Sequence, residues 1–347
     1  MPITILSPAS GSVVCLQTDM QREFLEKEAE RAALIPDITV RWYAPERSWS
    51  VDCSAPAGVT FRWRGGVPGG RYRLIVSRFP DLCEAWEWET DNAEAKEDGS
   101  AELTVFNLMI DTTYYACVRS ENEASPTVCF RTADTVPRAL RVPDVSNIRD
   151  AGGWRVPGGR IRQGLLYRGG EFESHMSLTS EGGEELRRLG IRTELDMRGE
   201  AVDLPHTAAE AYGVARILIP LPAYSEFLDE KWAPACRRFF AVLADESAYP
   251  VYYHCWGGAD RTATAAFLLG ALCGMSRADL ITDYEYTSLS IWGVRSRNLS
   301  VFDAFLKRFD AFPGQTDREK AEQFFRGMIG MSEGEAARIR EILVEAE

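Results

Sequence analysis

Residues 253–262 read Tyr-His-Cys-Trp-Gly-Gly-Ala-Asp-Arg-Thr, and this stretch decides the fold of the C-terminal part of the chain. Hydrophobic residues precede it from Val251, and the apolar, alanine-rich run 263–275 follows it. The pattern predicts a buried strand, a glycine-containing loop and a helix that begins at Arg261. Such a junction is an anion site, because several backbone N–H groups and the positive end of the helix converge on one point.

Two side chains of this stretch carry the predicted chemistry. Cys255 lies in the positive field of the helix terminus, which should favour the thiolate, so we expect it to be a nucleophile. Arg261 can present its planar fork to two oxygens of a phosphate group. The predicted reaction is covalent phosphoryl transfer through a phosphocysteine. The residues expected to bind the phosphate are those of the loop itself: Trp256, Gly257, Gly258, Ala259, Asp260 and Arg261.

Neighbouring residues are expected to support these two. The hydroxyl of Thr262 can donate a hydrogen bond to the thiolate of Cys255. His254 precedes the nucleophile on a strand, so its side chain should point to the opposite face and hold the loop in shape. Arg149 either lines the pocket or pairs with an acid.

The loop has the H-C-x5-R spacing of cysteine-dependent phosphatases, and other motifs narrow this resemblance. Residues 147–153 (Asn-Ile-Arg-Asp-Ala-Gly-Gly) and 165–170 (Leu-Leu-Tyr-Arg-Gly-Gly) are similar to elements that open a bacterial family of tyrosine-phosphatase-like enzymes. Residues 195–198 (Leu-Asp-Met-Arg) and 283–286 (Asp-Tyr-Glu-Tyr) resemble two later elements of that family. The resemblance covers about residues 140–347. It implies a dual-specificity-type α/β fold, and the helix signals after the loop indicate a helical C-terminal portion.

The same resemblance implies that Asp260 is the general acid that protonates the leaving oxygen. An aspartate at a helix N-terminus also stabilises the helix dipole and can orient Arg261, so a structural role stays open. Asp196, at the end of a predicted strand, is the rival candidate. A carboxylate there can equally be a structural partner for Arg198 or Arg149.

Two departures from the family pattern bear on the substrate. Ala259 stands where the family has lysine, and Ala263 where it has glycine. Without the lysine the loop has one cation fewer for a polyanion, so we expect phosphotyrosine in a protein or peptide, or another small phosphomonoester. The alternatives are an inositol phosphate or phosphoinositide substrate and, in another class, a catalytically silent phosphate-binding interaction protein.

The N-terminal part has a different pattern. Six short segments between residues 59 and 131 alternate apolar and polar residues with turn signals between them, as in a β-sandwich. Leu108, Thr112, Tyr114 and Val118 resemble the fibronectin type III pattern that leads into strand F, although Ile110 stands where that family often has proline. The expected division is a fibronectin-III-like sandwich with an N-terminal helix over 1–134 and a phosphatase domain over 135–347. The sandwich could bind a partner of its own.

Composition limits the function classes. The 347 residues include 39 basic and 52 acidic ones, and a net charge of −13 argues against nucleic-acid binding. No run approaches the roughly 18 apolar residues of a membrane span, and the start of the chain lacks a signal pattern. We therefore expect a cytoplasmic protein, or a secreted one if a signal peptide has been removed. Eight cysteines without paired spacing and three histidines predict neither a metal nor another cofactor.

Overall fold

The structure is a computed structural model and describes residues 2–34, 52–66, 70–90, 98–199 and 206–346. The chain divides into two compact units, Met1–Thr18 with Pro56–Val136 and Asp19–Ala55 with Pro137–Glu347.

This division differs from the predicted one in the placement of the N-terminal helix. Residues 19–55, which were expected to belong to the sandwich, group with the second unit. The side chain of Gln21 donates hydrogen bonds to the carbonyl oxygens of Cys53, Ser54 and Ala55. Phe24 packs in one apolar cluster with Tyr286 of the second unit. The charged sequence of residues 21–33 gave no sign of these contacts.

The first unit consists of short strands: β1 (Thr4–Ser7), β2 (Val13–Val14), β3 (Val59–Arg64), β4 (Tyr72–Ser77), β5 (Trp86–Thr90), β6 (Ser100–Val105), β7 (Thr113–Arg119) and β8 (Val128–Thr132). They form a sheet of order β1-β3-β6 and a sheet of order β2-β8-β7-β4-β5. The six predicted strands fall on β3 to β8, with shifts of one residue at some ends.

One hydrophobic cluster joins the two sheets of this unit. It takes Phe61 and Trp63 from β3 of the first sheet and Leu74, Val76 and Tyr114 from β4 and β7 of the second. In β3, buried positions alternate with more exposed ones, so the strand turns one apolar face to the shared core.

The second unit combines helices and strands: α1 (Asp19–Glu26), α2 (Glu28–Ala33), β9 (Arg149–Asp150), β10 (Arg155–Val156), β11 (Gly159–Ile161), β12 (Leu166–Gly169), α3 (Ser180–Arg188), β13 (Thr193–Asp196), β14 (Ala215–Leu218), α4 (Ala233–Leu243), β15 (Val251–His254), α5 (Arg261–Cys273), α6 (Arg277–Tyr286), α7 (Ser300–Asp310), α8 (Asp317–Gln323), α9 (Glu333–Leu343) and β16 (Val344–Ala346). The expected N-terminal helix is two short helices, α1 and α2.

A five-stranded sheet of order β14-β13-β15-β12-β9 is the centre of this unit. Strands β14, β13, β15 and β12 run parallel, and β9 pairs antiparallel at the edge. β15 is the middle strand, and all four of its residues are buried. Parallel strands are covered by helices on both faces, which explains the continuous apolar character of β15.

Local signals mark the helix ends after β15. α5 is buried along most of its length and ends at Gly274, which adopts a left-handed conformation with φ +96°. Capping boxes of Thr316 with Glu319 and of Ser332 with Glu335 form at the starts of α8 and α9. Over the described ranges, no helix combines the length and apolarity needed to cross a membrane.

Candidate active site

Cys255 follows the central strand β15 directly, and α5 begins six residues later at Arg261. The site therefore lies at the carboxyl ends of the parallel strands, where α/β sheets bind their ligands. Cys255 is only 4% exposed. The residues between them form an irregular turn, which we call the Cys255–Arg261 loop.

Four carbonyl groups of this loop, those of residues 255–258, are held by donors from outside it. The four bonds are Cys255 O from His254 Nδ1 at 2.8 Å, Trp256 O from Glu171 N at 2.9 Å, Gly257 O from Asn147 Nδ2 at 2.8 Å, and Gly258 O from Arg168 Nη2 at 2.9 Å. A loop whose successive carbonyls are fixed outward turns its amides toward the opposite side.

The amides are left without partners by this arrangement. Among the residues that the structure describes, the backbone N–H groups of 256–260 donate to no protein acceptor. Buried donors without partners cost free energy, so an acceptor from outside the protein satisfies them at a gain. Together with the N-terminus of α5 they form a cradle for an oxyanion.

The two glycines of the loop are required by close packing as well. A Cβ on Gly257 would lie 2.5 Å from the ring of Trp292, and one on Gly258 would lie 2.3 Å from the carbonyl oxygen of Gly169. Gly258 also has φ +65°, a conformation that side chains disfavour. From the sequence, both glycines were expected only to bind the phosphate.

A buried ionic network lies behind the loop. Asp283 accepts a hydrogen bond from Arg149 Nε at 2.7 Å and another from Arg168 Nη1. Arg149 also donates to Asn147 Oδ1 at 2.7 Å, so this network orients both side chains that hold the carbonyls of Gly257 and Gly258. Burial opposes ionisation of Asp283, but the two guanidinium groups hold its pKa below the usual range. Arg149 was expected either to line the pocket or to pair with an acid, and in the structure it pairs with Asp283.

His254 is fully buried and donates from both ring nitrogens. Nε2 lies 2.7 Å from Glu194 Oε1 and Nδ1 lies 2.8 Å from the carbonyl oxygen of Cys255, so both nitrogens face acceptors and the ring is an imidazolium. Burial disfavours that charge, but the hydrogen bond and charge of Glu194 outweigh it and raise the pKa of His254 to about 9. Glu194 in turn accepts from the hydroxyl of Thr207 at 2.7 Å.

Asp196 is enclosed by two arginines. Its oxygens accept hydrogen bonds from Arg198 at 2.8 and 2.9 Å and from Arg216 at 2.7 and 3.1 Å, and the side chain is 0% exposed. Burial opposes the charged form, but the hydrogen bonds of Arg198 and the nearby positive charges lower the pKa of Asp196 to about 2. The guanidinium of Arg198 also lies 4.9 Å from the ring of Trp256. Asp196 thus helps to fix Trp256, the loop residue that follows Cys255.

Asp260 has a different environment. Its carboxylate accepts from Arg295 Nε at 2.8 Å and Nη2 at 3.0 Å and from the hydroxyl of Tyr224. Its side chain is nevertheless 38% exposed. Burial opposes ionisation, but Arg295 and Tyr224 keep the pKa of Asp260 below its usual range. The proton-donor role of Asp260 stays a prediction.

Two further residues that the sequence analysis singled out, Ala259 in the loop and Thr262 directly after it, are buried. The hydroxyl of Thr262 has no hydrogen-bond partner among the described residues, so its expected bond to Cys255 stays a prediction. Ala259 is 3% exposed, so its methyl group belongs to the packed side of the loop.

Sequence reasoning missed three residues that contact the site: Glu194, Tyr224 and Arg295. Tyr224 lies in a short 3₁₀ helix after β14 and has φ 55°, which is rare for a non-glycine residue. Its backbone N–H donates to the hydroxyl of Thr264 at 2.9 Å, and that hydroxyl donates to the carbonyl oxygen of Asp260. No local pattern marks these residues, because they reach the loop from distant parts of the chain.

Glu194, Asp196 and His254 are the one group among the described residues whose ligand atoms lie within 4.8 Å of one another, as in a metal site. The polar atoms of these side chains already form hydrogen bonds with other protein groups. Nε2 of His254 binds Glu194, and Asp196 binds two guanidinium groups. The donor set fits an internal ionic network better than a cation.

Comparison with known proteins agrees with this architecture. The model of the "Tyrosine phosphatase family" matches residues 140–345, which is more than half of the chain. The chain therefore belongs to the tyrosine phosphatase family, and the match lies in its second unit.

Individual relatives are more distant. A protein of Cupriavidus necator named "Putative tyrosine-protein phosphatase H16_A0669" is 30% identical over 171 residues, which cover 42% of this chain and 61% of that protein. The chain thus matches less than two thirds of that relative's length.

Two solved structures are also similar. The core catalytic domain of the PP-IP phosphatase Siw14 from S. cerevisiae is 11% identical, with a TM-score of 0.32, over 48% of this chain and 93% of that one. The structure of a "Putative phosphatase (DUF442)" from Shewanella putrefaciens CN-32 is 15% identical, with a TM-score of 0.27, over 45% of this chain and 91% of that one.

Proposed function

We propose that the protein hydrolyses phosphomonoesters through a phosphocysteine on Cys255, and that its substrate is phosphotyrosine in a protein or peptide. The observation that carries the proposal is the Cys255–Arg261 loop, with four carbonyls held outward and the amides of 256–260 unpaired beside a cysteine. A phosphate group satisfies these donors, and its phosphorus then lies in front of the cysteine sulfur.

The proposed reaction has two steps. In the first, Cys255 Sγ bonds to phosphorus while the bond from phosphorus to the leaving oxygen breaks, and that oxygen takes a proton from Asp260. In the second, water gives a proton to Asp260 and its oxygen bonds to phosphorus, which releases phosphate and the cysteine thiolate. The loop amides and Arg261 stabilise the equatorial oxygens in both steps.

Asp260 is the better placed of the two candidate acids. It lies in the loop next to Arg261 and is partly exposed, whereas Asp196 is enclosed by Arg198 and Arg216. A bound phosphate dianion beside Asp260 disfavours its carboxylate form and so raises its pKa toward the proton-donating range.

A groove next to Arg261 has mainly apolar walls, and such walls favour an apolar leaving group. Glu226 is the acidic residue among its described walls, and a negative charge there repels a polyphosphorylated ring. The C. necator relative carries the name of a tyrosine-protein phosphatase, which agrees with this choice. The groove is lined mainly by apolar side chains: Pro220, Leu221, Pro222, Ala223, Trp232, Val301 and Ala304.

We also propose that the first unit is a fibronectin-III-like sandwich that binds a partner. The strand orders β1-β3-β6 and β2-β8-β7-β4-β5 support this assignment. So does the hydroxyl of Tyr114, which accepts a hydrogen bond from the backbone of Met109 at 2.8 Å. This bond resembles the tyrosine corner of immunoglobulin-like sandwiches.

The test of the catalytic proposal is vanadate-sensitive hydrolysis of an aryl phosphate by the full chain. Cys255→Ser should abolish turnover, and Cys83→Ser, at an exposed cysteine, should not change it. Iodoacetate near neutral pH should inactivate by labelling Cys255, because burial raises the pKa of Cys236 and of Cys273 to about 12. Phosphate binding without turnover would instead favour the silent binding protein, and preference for an inositide would favour the alternative substrate.

A further inference from the structure

The match to the tyrosine phosphatase family begins at residue 140, yet the second unit also contains a segment from the start of the chain. We call the described parts of this segment, 19–34 and 52–55, the N-terminal segment. It is anchored by buried polar contacts. Arg31 is 3% exposed, and its Nε lies 3.5 Å from the carboxylate of the fully buried Glu285. Glu285 also binds Arg297 at 2.8 and 2.9 Å, so three buried or partly buried charges join the segment to α6.

Residues 52–55, at the other end of the segment, contact Asn147, which holds a carbonyl of the Cys255–Arg261 loop. Ser54 Oγ accepts a hydrogen bond from the backbone N–H of Asn147 at 2.9 Å, and both residues are buried. Asn147 has φ 65°, so its backbone is held in the left-handed region where an external anchor matters most. Its side chain donates to the carbonyl oxygen of Gly257 at 2.8 Å.

Ser54 itself is held in place on both sides. Its backbone N–H and its hydroxyl both donate to Asp52 Oδ1, at 2.8 and 2.7 Å. Because that hydroxyl hydrogen is committed to Asp52, the oxygen faces Asn147 as an acceptor. Gln21, at 0% exposure, donates to the carbonyl oxygens of Cys53, Ser54 and Ala55 and so ties α1 to this turn.

We propose that the N-terminal segment is a positioning element of the phosphatase site. Through Ser54 and Asn147 it fixes the carbonyl of Gly257 outward, which keeps the neighbouring amides aimed at the bound oxyanion. The catalytic unit is then assembled from two separate parts of the chain, and the family-matched region alone is incomplete. This inference rests on the proposed function, since it takes the loop to be a phosphate site.

The test measures binding of inorganic phosphate to the full chain by titration calorimetry, together with the thermal unfolding midpoint. Ser54→Ala leaves the N–H of Asn147 without its acceptor and should weaken phosphate binding by about five- to tenfold, and the midpoint shows that the variant is folded at the temperature of the titration. Ser120→Ala removes a hydroxyl that bonds within a turn of the first unit and should bind phosphate as the wild type does.

A second variant covers the case in which Ser54→Ala does not fold. Gln21→Met releases the 53–55 turn without touching Asn147 and should weaken phosphate binding in the same direction. Wild-type affinity in whichever of these variants folds would overturn the positioning role. Failure of the wild-type protein itself to bind phosphate would instead overturn the proposed function.

Discussion

Arg295 donates from Nε and Nη2 to the two carboxylate oxygens of Asp260, at 2.8 and 3.0 Å. This bidentate pair joins the segment after α6 to the loop residue that precedes α5. The hydroxyl of Tyr224 donates to the same carboxylate and lies 3.0 Å from the hydroxyl of Tyr284. Two side chains, those of Arg295 and Tyr224, therefore stabilise the ionised form of a residue that must carry a proton to act as an acid.

The first prediction follows from this pair. Arg295→Gln removes the cation that lowers the pKa of Asp260, so that pKa should rise. If Asp260 is the general acid, the basic limb of the kcat profile for phenyl phosphate should move to higher pH. Arg277→Gln, which removes an arginine paired with Asp310 and Asp317, serves as the control. A basic limb that stays in place in Arg295→Gln would contradict an acid role for Asp260.

Much of the site could be predicted because its chemistry is local in sequence. A strand, a short loop and a helix in succession fix where Cys255 and Arg261 lie, and the structure has β15 and α5 on either side of them. Alternating patterns and turn signals likewise identified β3 to β8, and β3 and β5 show the expected alternation of burial.

The supports of the loop could not be predicted in the same way. Asn147, Arg168 and Glu171 each hold one loop carbonyl from about 85 to 110 positions away, and such contacts leave no periodic pattern. The N-terminal segment was missed for a similar reason. Its residues are largely charged, which is typical of an exposed helix, yet Arg31 is buried against Glu285 because the two charges compensate each other.

The second prediction concerns His254 and the pH dependence of stability. Its pKa is about 9 in the folded chain and 6.5 ordinarily. The stabilisation is therefore complete below pH 6.5 and is lost as pH rises through about 9. Glu194→Gln removes the charge that raises this pKa, so the unfolding midpoint should fall less between pH 6.5 and pH 9 than in the wild type. Parallel curves for the two proteins would show that the imidazolium does not contribute.

A matched control for this measurement is available on the surface. His206 is exposed and pairs with Glu210 in a similar geometry. Because exposed ion pairs contribute little, His206→Gln should leave the pH dependence of the unfolding midpoint as it is in the wild type.

The third prediction concerns the substrate groove. Glu226 lines it with Arg261, and Glu226→Lys reverses a charge near the leaving group. The wild type should prefer phosphotyrosine peptides to phosphoinositides, and Glu226→Lys should raise kcat/KM for phosphoinositides by about three- to tenfold relative to phosphotyrosine peptides. Glu230→Lys, at an exposed position outside the groove lining, is the control. An unchanged ratio in Glu226→Lys would mean that substrates do not occupy this groove.

The last prediction distinguishes Asp260 from Asp196 by how strongly the rate of each variant depends on the leaving-group pKa. A general acid matters most when the leaving oxygen is a poor leaving group, so Asp260→Asn should slow phenyl and alkyl phosphates strongly and activated aryl phosphates hardly at all. Asp196→Asn should slow all substrates about equally, because Asp196 orients Arg198, whose guanidinium stacks on Trp256 at the start of the loop. The measurement is the slope of log kcat/KM against leaving-group pKa for each variant. If Asp196→Asn steepens the slope and Asp260→Asn leaves it unchanged, Asp196 donates the proton and the pair of Asp260 with Arg295 is structural.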